Sequence, residues 1–206
     1  ILPRGGTILG SSRTNPIKIE GGVDRIKTNL AANGVDALIA IGGEDTLGVA
    51  AKLADAGVPV VGVPKTIDND LAATDVTFGF DTAVQTATDA IDRLHTTAES
   101  HKRVLVLEVM GRHAGWIAAA GGLAAEKAGD SPHIILFPEI PFDEEKFLAR
   151  TKECVDRYGY CAVVVSEGVK NAEGKFLADA GTRDASGHAQ LGGVGPVVAQ
   201  LVKDRL

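Results

Sequence analysis

The sequence predicts an α/β protein with mostly parallel sheets and helices on their faces. Three observations carry that expectation. Short, continuous apolar runs recur along the chain (DALIAI, VPVVGV, VLVLEV, HIILF and YCAVVV), as strands buried on both faces should read. Segments of helical period stand between them. Loops rich in Gly, Asp and Asn follow the strands directly, so strand, loop and helix alternate as βαβ units require.

The elements follow in order. RGGTILGSSRTNP, Arg4 to Pro16, reads as a loop offering backbone amides, small hydroxyls and Arg13. Residues 17–33 recur unevenly at helical spacing and stop at Asn33-Gly34. Asp36 to Ile41 is a buried strand, GGEDT follows it, and Leu47 to Ala56 is a helix ending at Gly57. Val58 to Val63 is the next strand, and PKTIDND is read as the loop after it. Thr82 to Leu94 is a helix. Val104 to Val109 is a strand leading into MGRHAGW. Ile117 to Lys127 is an Ala-rich helix whose Gly121-Gly122 pair marks close packing. His133 to Phe137 is a strand closed by Pro138 and Pro141. Asp143 to Tyr158 is an amphipathic helix with an acidic first turn, as the macrodipole favours. Tyr160 to Val165 is a strand running into SEG. Lys170 to Gln190 is a polar loop or hairpin, and Val194 to Leu206 is a final helix.

Composition narrows the function. Of 206 residues, 45% are hydrophobic but only 4% aromatic, so the core is built from Ala, Val, Ile and Leu. A net charge of -6 argues against a general nucleic-acid binder. The two cysteines, Cys154 and Cys161, have no metal-ligand spacing and are expected to be buried and reduced. No stretch approaches the roughly 20 apolar residues of a membrane span, and no secretory leader is evident, so a cytoplasmic protein is expected. The chain lacks an initiating Met and stops in a helical pattern, so a fold incomplete at both ends is expected.

Four loops at strand ends hold the unusual chemistry: GGEDT, PKTIDND, MGR and SEG. Each has a structural reading: a tight turn, a strand stop, or acids near a helix N-terminus acting as caps. Four on one edge of an open parallel sheet point instead to a ligand site. There is no GxxxxGK[ST], and Gly193-Val194-Gly195 lacks both the third glycine and a preceding strand. Phosphoryl transfer assigns the residues naturally. Glu44 suits Mg²⁺, which takes one or two carboxylates plus phosphate oxygens and water. Asp68 suits a base for an attacking alcohol. Lys65 and Arg112 can meet phosphate charge.

Together PKTIDND, VLEVMGRHAGW, IGGEDT, RGGTILGSSR and SEG resemble the 6-phosphofructokinases from Arg4 to about Glu167. The resemblance implies a three-layer phosphofructokinase-type fold, with a donor part over residues 1–134 and part of a sugar-phosphate domain over 135–206. It implies that Asp68 activates the 1-hydroxyl of fructose 6-phosphate, with Thr66 in the same substrate-contacting segment. Met110, Gly111 and Arg112 contact the sugar phosphate, and Glu167 binds sugar hydroxyls. Glu44 holds magnesium, while Gly43 and Arg13 serve the donor phosphates. Arg103 reaches the sugar phosphate of a neighbouring subunit in a homo-oligomer, a dimer or tetramer.

Two positions bear on the donor. ATP-using members read GGDGS or GGEGT and PGTIDND, whereas Asp45 and Lys65 replace those glycines here. A carboxylate at 45 repels the α-phosphate of ATP, and a lysine at 65 meets metal-bound pyrophosphate. Pyrophosphate is the expected donor and an ATP-dependent phosphofructokinase the alternative. NAD and lipid kinases share only a turn like GGDG[TS], and a non-catalytic sugar-phosphate-binding subunit has no use for a base at 68. DRYGYC, Asp156 to Cys161, lacks the lysines of members that bind nucleotide effectors, so such regulation is not implied. The 206 residues alone are expected not to turn over.

Overall fold

The computed structural model describes residues 5–8, 10–12, 14–183, 189–191 and 193–206. Packing divides the chain into two compact units, Ile1–Pro64 with Arg183–His188, and Lys65–Thr182 with Ala189–Leu206.

In the first unit, Asn15 caps a short 3-10 turn, Pro16–Lys18, by accepting the Ile17 N–H. Helix α1 (Gly22–Ala32) starts only after Gly21, which sits at φ 64°. The helical spacing expected from Ile17 is therefore broken. A Cβ at Gly22 would lie 2.2 Å from the Pro16 carbonyl oxygen, because the turn folds onto the helix start. Strand β1 (Leu38–Gly42) feeds α2 (Glu44–Asp55) almost directly. Glu44 and Asp45 form the first helical turn, where acids complement the dipole, so the helix begins earlier than its apolar pattern. Strand β2 (Val60–Thr66) runs parallel to β1, from Leu38↔Val60 to Gly42↔Pro64. Helix α2 packs on β1, while Ile39, Ile41 and Val61 are exposed.

Strand β2 corrects the reading of PKT as loop: Pro64, Lys65 and Thr66 are strand residues. Proline brings no N–H to a ladder. Strand β3 (Phe78–Gly79) reaches only Lys65 and Thr66, so β2 has an open side at Pro64 and tolerates it there.

The second unit continues with α3 (Phe80–His101), which is longer than expected and ends at Lys102 in the left-handed region (φ 53°). Then come β4 (Val104–Val109), α4 (Trp116–Ala120), a 3-10 turn (Gly121–Ala124), β5 (Ile134–Leu136), α5 (Glu144–Tyr158) and β6 (Cys161–Ser166). Strands β7 (Asp179–Arg183) and β8 (Ala189–Leu191) form a small two-stranded sheet within the polar excursion, before α6 (Val194–Arg205). The Ala-rich helix is shorter than its composition suggests, because Gly121-Gly122 is a poor helix interior. As expected, that pair permits close packing: a Cβ at Gly121 would lie 3.2 Å from Ile91 Cδ1.

Strand β6 lies between β4 and β5 in a parallel sheet and is buried throughout. Helix α5 turns Phe147, Leu148, Thr151 and Cys154 inward, and its Asp143 N-cap accepts the Lys146 N–H at 3.1 Å. Cys154 and Cys161 are free, buried thiols. Burial pushes Cys161 up to about 12, so it stays protonated at neutral pH. Glu108 of β4 accepts the Gly195 N–H at 2.7 Å, pinning the start of α6. Among the described residues, no helix is long and apolar enough to cross a membrane.

Candidate active site

In the second unit the candidate side chains stand on loops at the C-terminal ends of β2, β4 and β6. After β2 the chain turns sharply. The Asp68 N–H donates to Thr66 Oγ1 at 3.3 Å. Asn69 adopts φ 53°, a conformation Asn tolerates better than most residues. Its Oδ1 accepts the Thr77 N–H at 2.9 Å. Thr77 is 2% exposed and donates its hydroxyl to the Thr66 carbonyl at 2.8 Å.

Asp68 is thereby held half-buried, and its Oδ1 has no hydrogen-bond partner among the described residues. Burial lifts its carboxyl above the ordinary range; Asp70 and Glu167 push the same way, while Arg112 opposes them. Asp68, Asp70, Glu167 and Arg112 therefore share one electrostatic neighbourhood. A carboxyl with a raised pKa and an unfilled acceptor is suited to taking a proton.

The loops after β4 and β6 are stitched together. Gly111 sits at φ 133°, and a Cβ there would lie 2.3 Å from the Ala114 carbonyl oxygen. Ser166 donates its hydroxyl to the Gly111 carbonyl, and the Glu167 N–H donates to the Val109 carbonyl at 2.9 Å. A Cβ at Gly168 would lie 2.0 Å from the Arg112 carbonyl oxygen, so the two backbones touch. Gly115 donates its N–H to Glu139 at 2.7 Å, holding the far end of the same loop. Arg112 and Glu167 are thus presented jointly. Arg112 Nε is buried without a hydrogen-bond partner among the described residues, which makes it a donor in want of an anionic oxygen. Met110 is exposed and borders an apolar cleft of about 520 Å³ with Ile67, Val109 and Ile117.

Arg103 is not brought to this cluster. It precedes β4, whereas Met110 and Arg112 follow it, and the six strand residues between span about 20 Å. Lys65 is an exposed residue of β2. In the first unit, Gly43 is the N-cap of α2, and Glu44 and Asp45 are exposed in its first turn. Free N–H groups at a helix start attract phosphate oxygens. Gly42 is tightly enclosed, since a Cβ there would lie 2.6 Å from Thr46 Cβ. Among the described residues, no group of three or more His, Cys, Asp or Glu could hold a metal. A single open carboxylate at Glu44 still fits Mg²⁺ that takes its other ligands from phosphates and water. Arg13 lies outside the described residues.

The sequence alone gives no structural role to Thr77, Asn69 or Ser166. Ser166 directly precedes Glu167 in SEG, and that position is its one signal in the sequence. Thr77 carries no local signal, because its partners lie 8 and 11 residues away.

A family model described as Phosphofructokinase matches residues 1–206. The chain is 60% identical over 205 residues to a pyrophosphate–fructose 6-phosphate 1-phosphotransferase of Amycolatopsis methanolica, covering 100% of this chain and 59% of that protein. It is 52% identical over 209 residues to an ATP-dependent 6-phosphofructokinase of Corynebacterium efficiens, covering 100% of this chain and 58% of that protein. A solved pyrophosphate-dependent phosphofructokinase from Marinobacter aquaeolei superposes with a TM-score of 0.80 at 38% identity, covering 97% of this chain and 48% of that one. The chain thus spans less than two thirds of the curated relatives' length.

Proposed function

Because the chain belongs to the phosphofructokinase family, we propose that its full-length protein transfers a phosphoryl group from pyrophosphate to the 1-hydroxyl of fructose 6-phosphate. The products are fructose 1,6-bisphosphate and phosphate. The observation that carries this reading is Asp68, half-buried with an unfilled oxygen beside Arg112 and Glu167.

Asp68 accepts the proton of the 1-hydroxyl as its oxygen attacks the terminal phosphorus of pyrophosphate, and phosphate departs. Arg112 with Met110 and Gly111 holds the sugar phosphate, Glu167 orients the sugar hydroxyls, and Thr66 shapes the turn between them. Gly43 and the start of α2 bind donor phosphate oxygens, together with Arg13. Glu44 would hold Mg²⁺, which when bound offsets charge on the donor phosphates. Asp45 and Lys65 disfavour ATP and favour the smaller donor. The higher identity to a pyrophosphate-dependent relative than to the ATP-dependent one supports that choice.

Arg103 serves a second copy of the chain in a dimer or tetramer, which its distance along β4 from Arg112 supports. The donor role falls within residues 1–134, and residues 135–206 contribute to sugar-phosphate binding. The reaction belongs to the cytoplasm, where phosphorylated sugars circulate.

ATP as donor is the second reading, favoured by the 52% identity to an ATP-dependent enzyme. Initial rates of the full-length protein with fructose 6-phosphate and Mg²⁺ decide the matter. Turnover with pyrophosphate well above that with ATP is expected; turnover with ATP alone would overturn the donor assignment.

A further inference from the structure

We propose that Thr77 is a positioning residue for this reaction, clamping the turn that carries Asp68 from both sides. The proposal rests on the reading of Asp68 as the base. The chain leaves β2 at Thr66, makes an excursion, and returns at Phe78 to pair beside the strand it left. Thr77 closes the base of that excursion. Its hydroxyl proton goes to the Thr66 carbonyl at 2.8 Å, with Asn69 Oδ1 a weaker second acceptor at 3.4 Å. Its backbone N–H holds Asn69 Oδ1 at 2.9 Å. Thr66 lies two residues before Asp68 and Asn69 directly after it, so one residue fixes both neighbours.

The clamp is itself anchored. The Phe80 N–H donates to the Thr77 carbonyl at 3.2 Å, joining it to the first turn of the 22-residue helix α3. That helix is held in the core through Ala87, Ile91 and Ala98. Thr77 is 2% exposed and touches no charged group by hydrogen bond, so its hydroxyl has no evident work apart from the turn. A displaced base costs rate steeply, because proton transfer needs the carboxylate oxygen within hydrogen-bond reach of the hydroxyl.

The test uses the full-length protein carrying Thr77→Val, which keeps the branched shape and removes the hydroxyl, and Thr77→Ser, which keeps the hydroxyl. The expected result for Thr77→Val is a kcat reduced about tenfold to a hundredfold, with KM for fructose 6-phosphate changed less than about twofold. Thr77→Ser should recover most of the lost rate. Amide exchange across residues 66–77 should quicken in Thr77→Val, with β4 unchanged. An unaltered kcat in Thr77→Val would overturn the proposal. So would a fall in kcat and melting temperature with a comparable rise in KM that Thr77→Ser does not rescue, since those mark a merely structural residue. If the wild-type protein phosphorylates no sugar, the functional reading falls, and unchanged exchange at 66–77 in Thr77→Val would separately dismiss the clamp.

Discussion

The loops after β1 and β2 are built in opposite ways. The first passes from Gly43 straight into α2 and leaves Glu44 and Asp45 exposed on an open helical turn. The second is closed by Thr77, leans on Asn69 at φ 53°, and holds Asp68 half-buried with an unfilled oxygen. The second turn is fixed in advance by the chain's own hydrogen bonds, as the proposed acceptor chemistry requires. The first stays open, as the proposed binding of a highly charged phosphate with metal and water requires.

Replacing the base should break that contrast hardest. Asp68→Ser in the full-length protein is expected to lower kcat by about a hundredfold to ten-thousandfold, with far less change in KM for fructose 6-phosphate. A near-normal steady-state rate would remove Asp68 from the chemistry. Gly168→Ala should come next, because the new Cβ would lie 2.0 Å from the Arg112 carbonyl oxygen and force the two loops apart. Overpacking of this kind costs about 1–3 kcal/mol. Calorimetric melting should show that loss, and KM for fructose 6-phosphate should rise more than KM for pyrophosphate.

Effects on the open donor side should be smaller. Asp45→Gly with Lys65→Gly is expected to raise the ATP rate relative to the pyrophosphate rate by about tenfold, the order of one like-charge repulsion relieved near a surface. An unchanged ratio would show that these residues do not select the donor. The smallest effect is a shift in pH dependence. As the proposed base, Asp68 acts only when ionised, so the rate should fall as pH drops through its raised pKa. Asp70 contributes to that elevation. Asp70→Asn should therefore move the acidic limb of kcat toward lower pH, and a shift toward higher pH would contradict the assignment.

Much of this was legible in the sequence, for definite reasons. Val104–Val109 is a bounded apolar run, and its strand has those limits. The acidic start of residues 143–158 announces a helix, and α5 carries Glu144 and Glu145 in its first turn, with Asp143 just outside it as the N-cap. The motif loops were recognisable because each carries charged residues directly after an apolar strand. The misreadings have two causes: a deciding partner elsewhere in the chain, or a local turn that the apolar pattern hides. Pro64 looked like a strand end, yet β3 stops short of it and leaves room for a residue without an N–H. Residues 17–21 looked helical, yet the Pro16 turn and Gly21 intervene. Ser166, Gly168 and Thr77 show no periodicity, because their value lies in backbone atoms of loops distant in sequence.

The most direct measurement follows phosphorus by NMR in a mixture of the full-length protein, Mg²⁺, fructose 6-phosphate and pyrophosphate. The account predicts that pyrophosphate disappears while fructose 1,6-bisphosphate and orthophosphate appear in equal amounts. Orthophosphate without sugar bisphosphate would mean hydrolysis, and stable pyrophosphate, where a parallel sample given ATP in its place consumes it, would mean another donor; either result would contradict the proposed reaction.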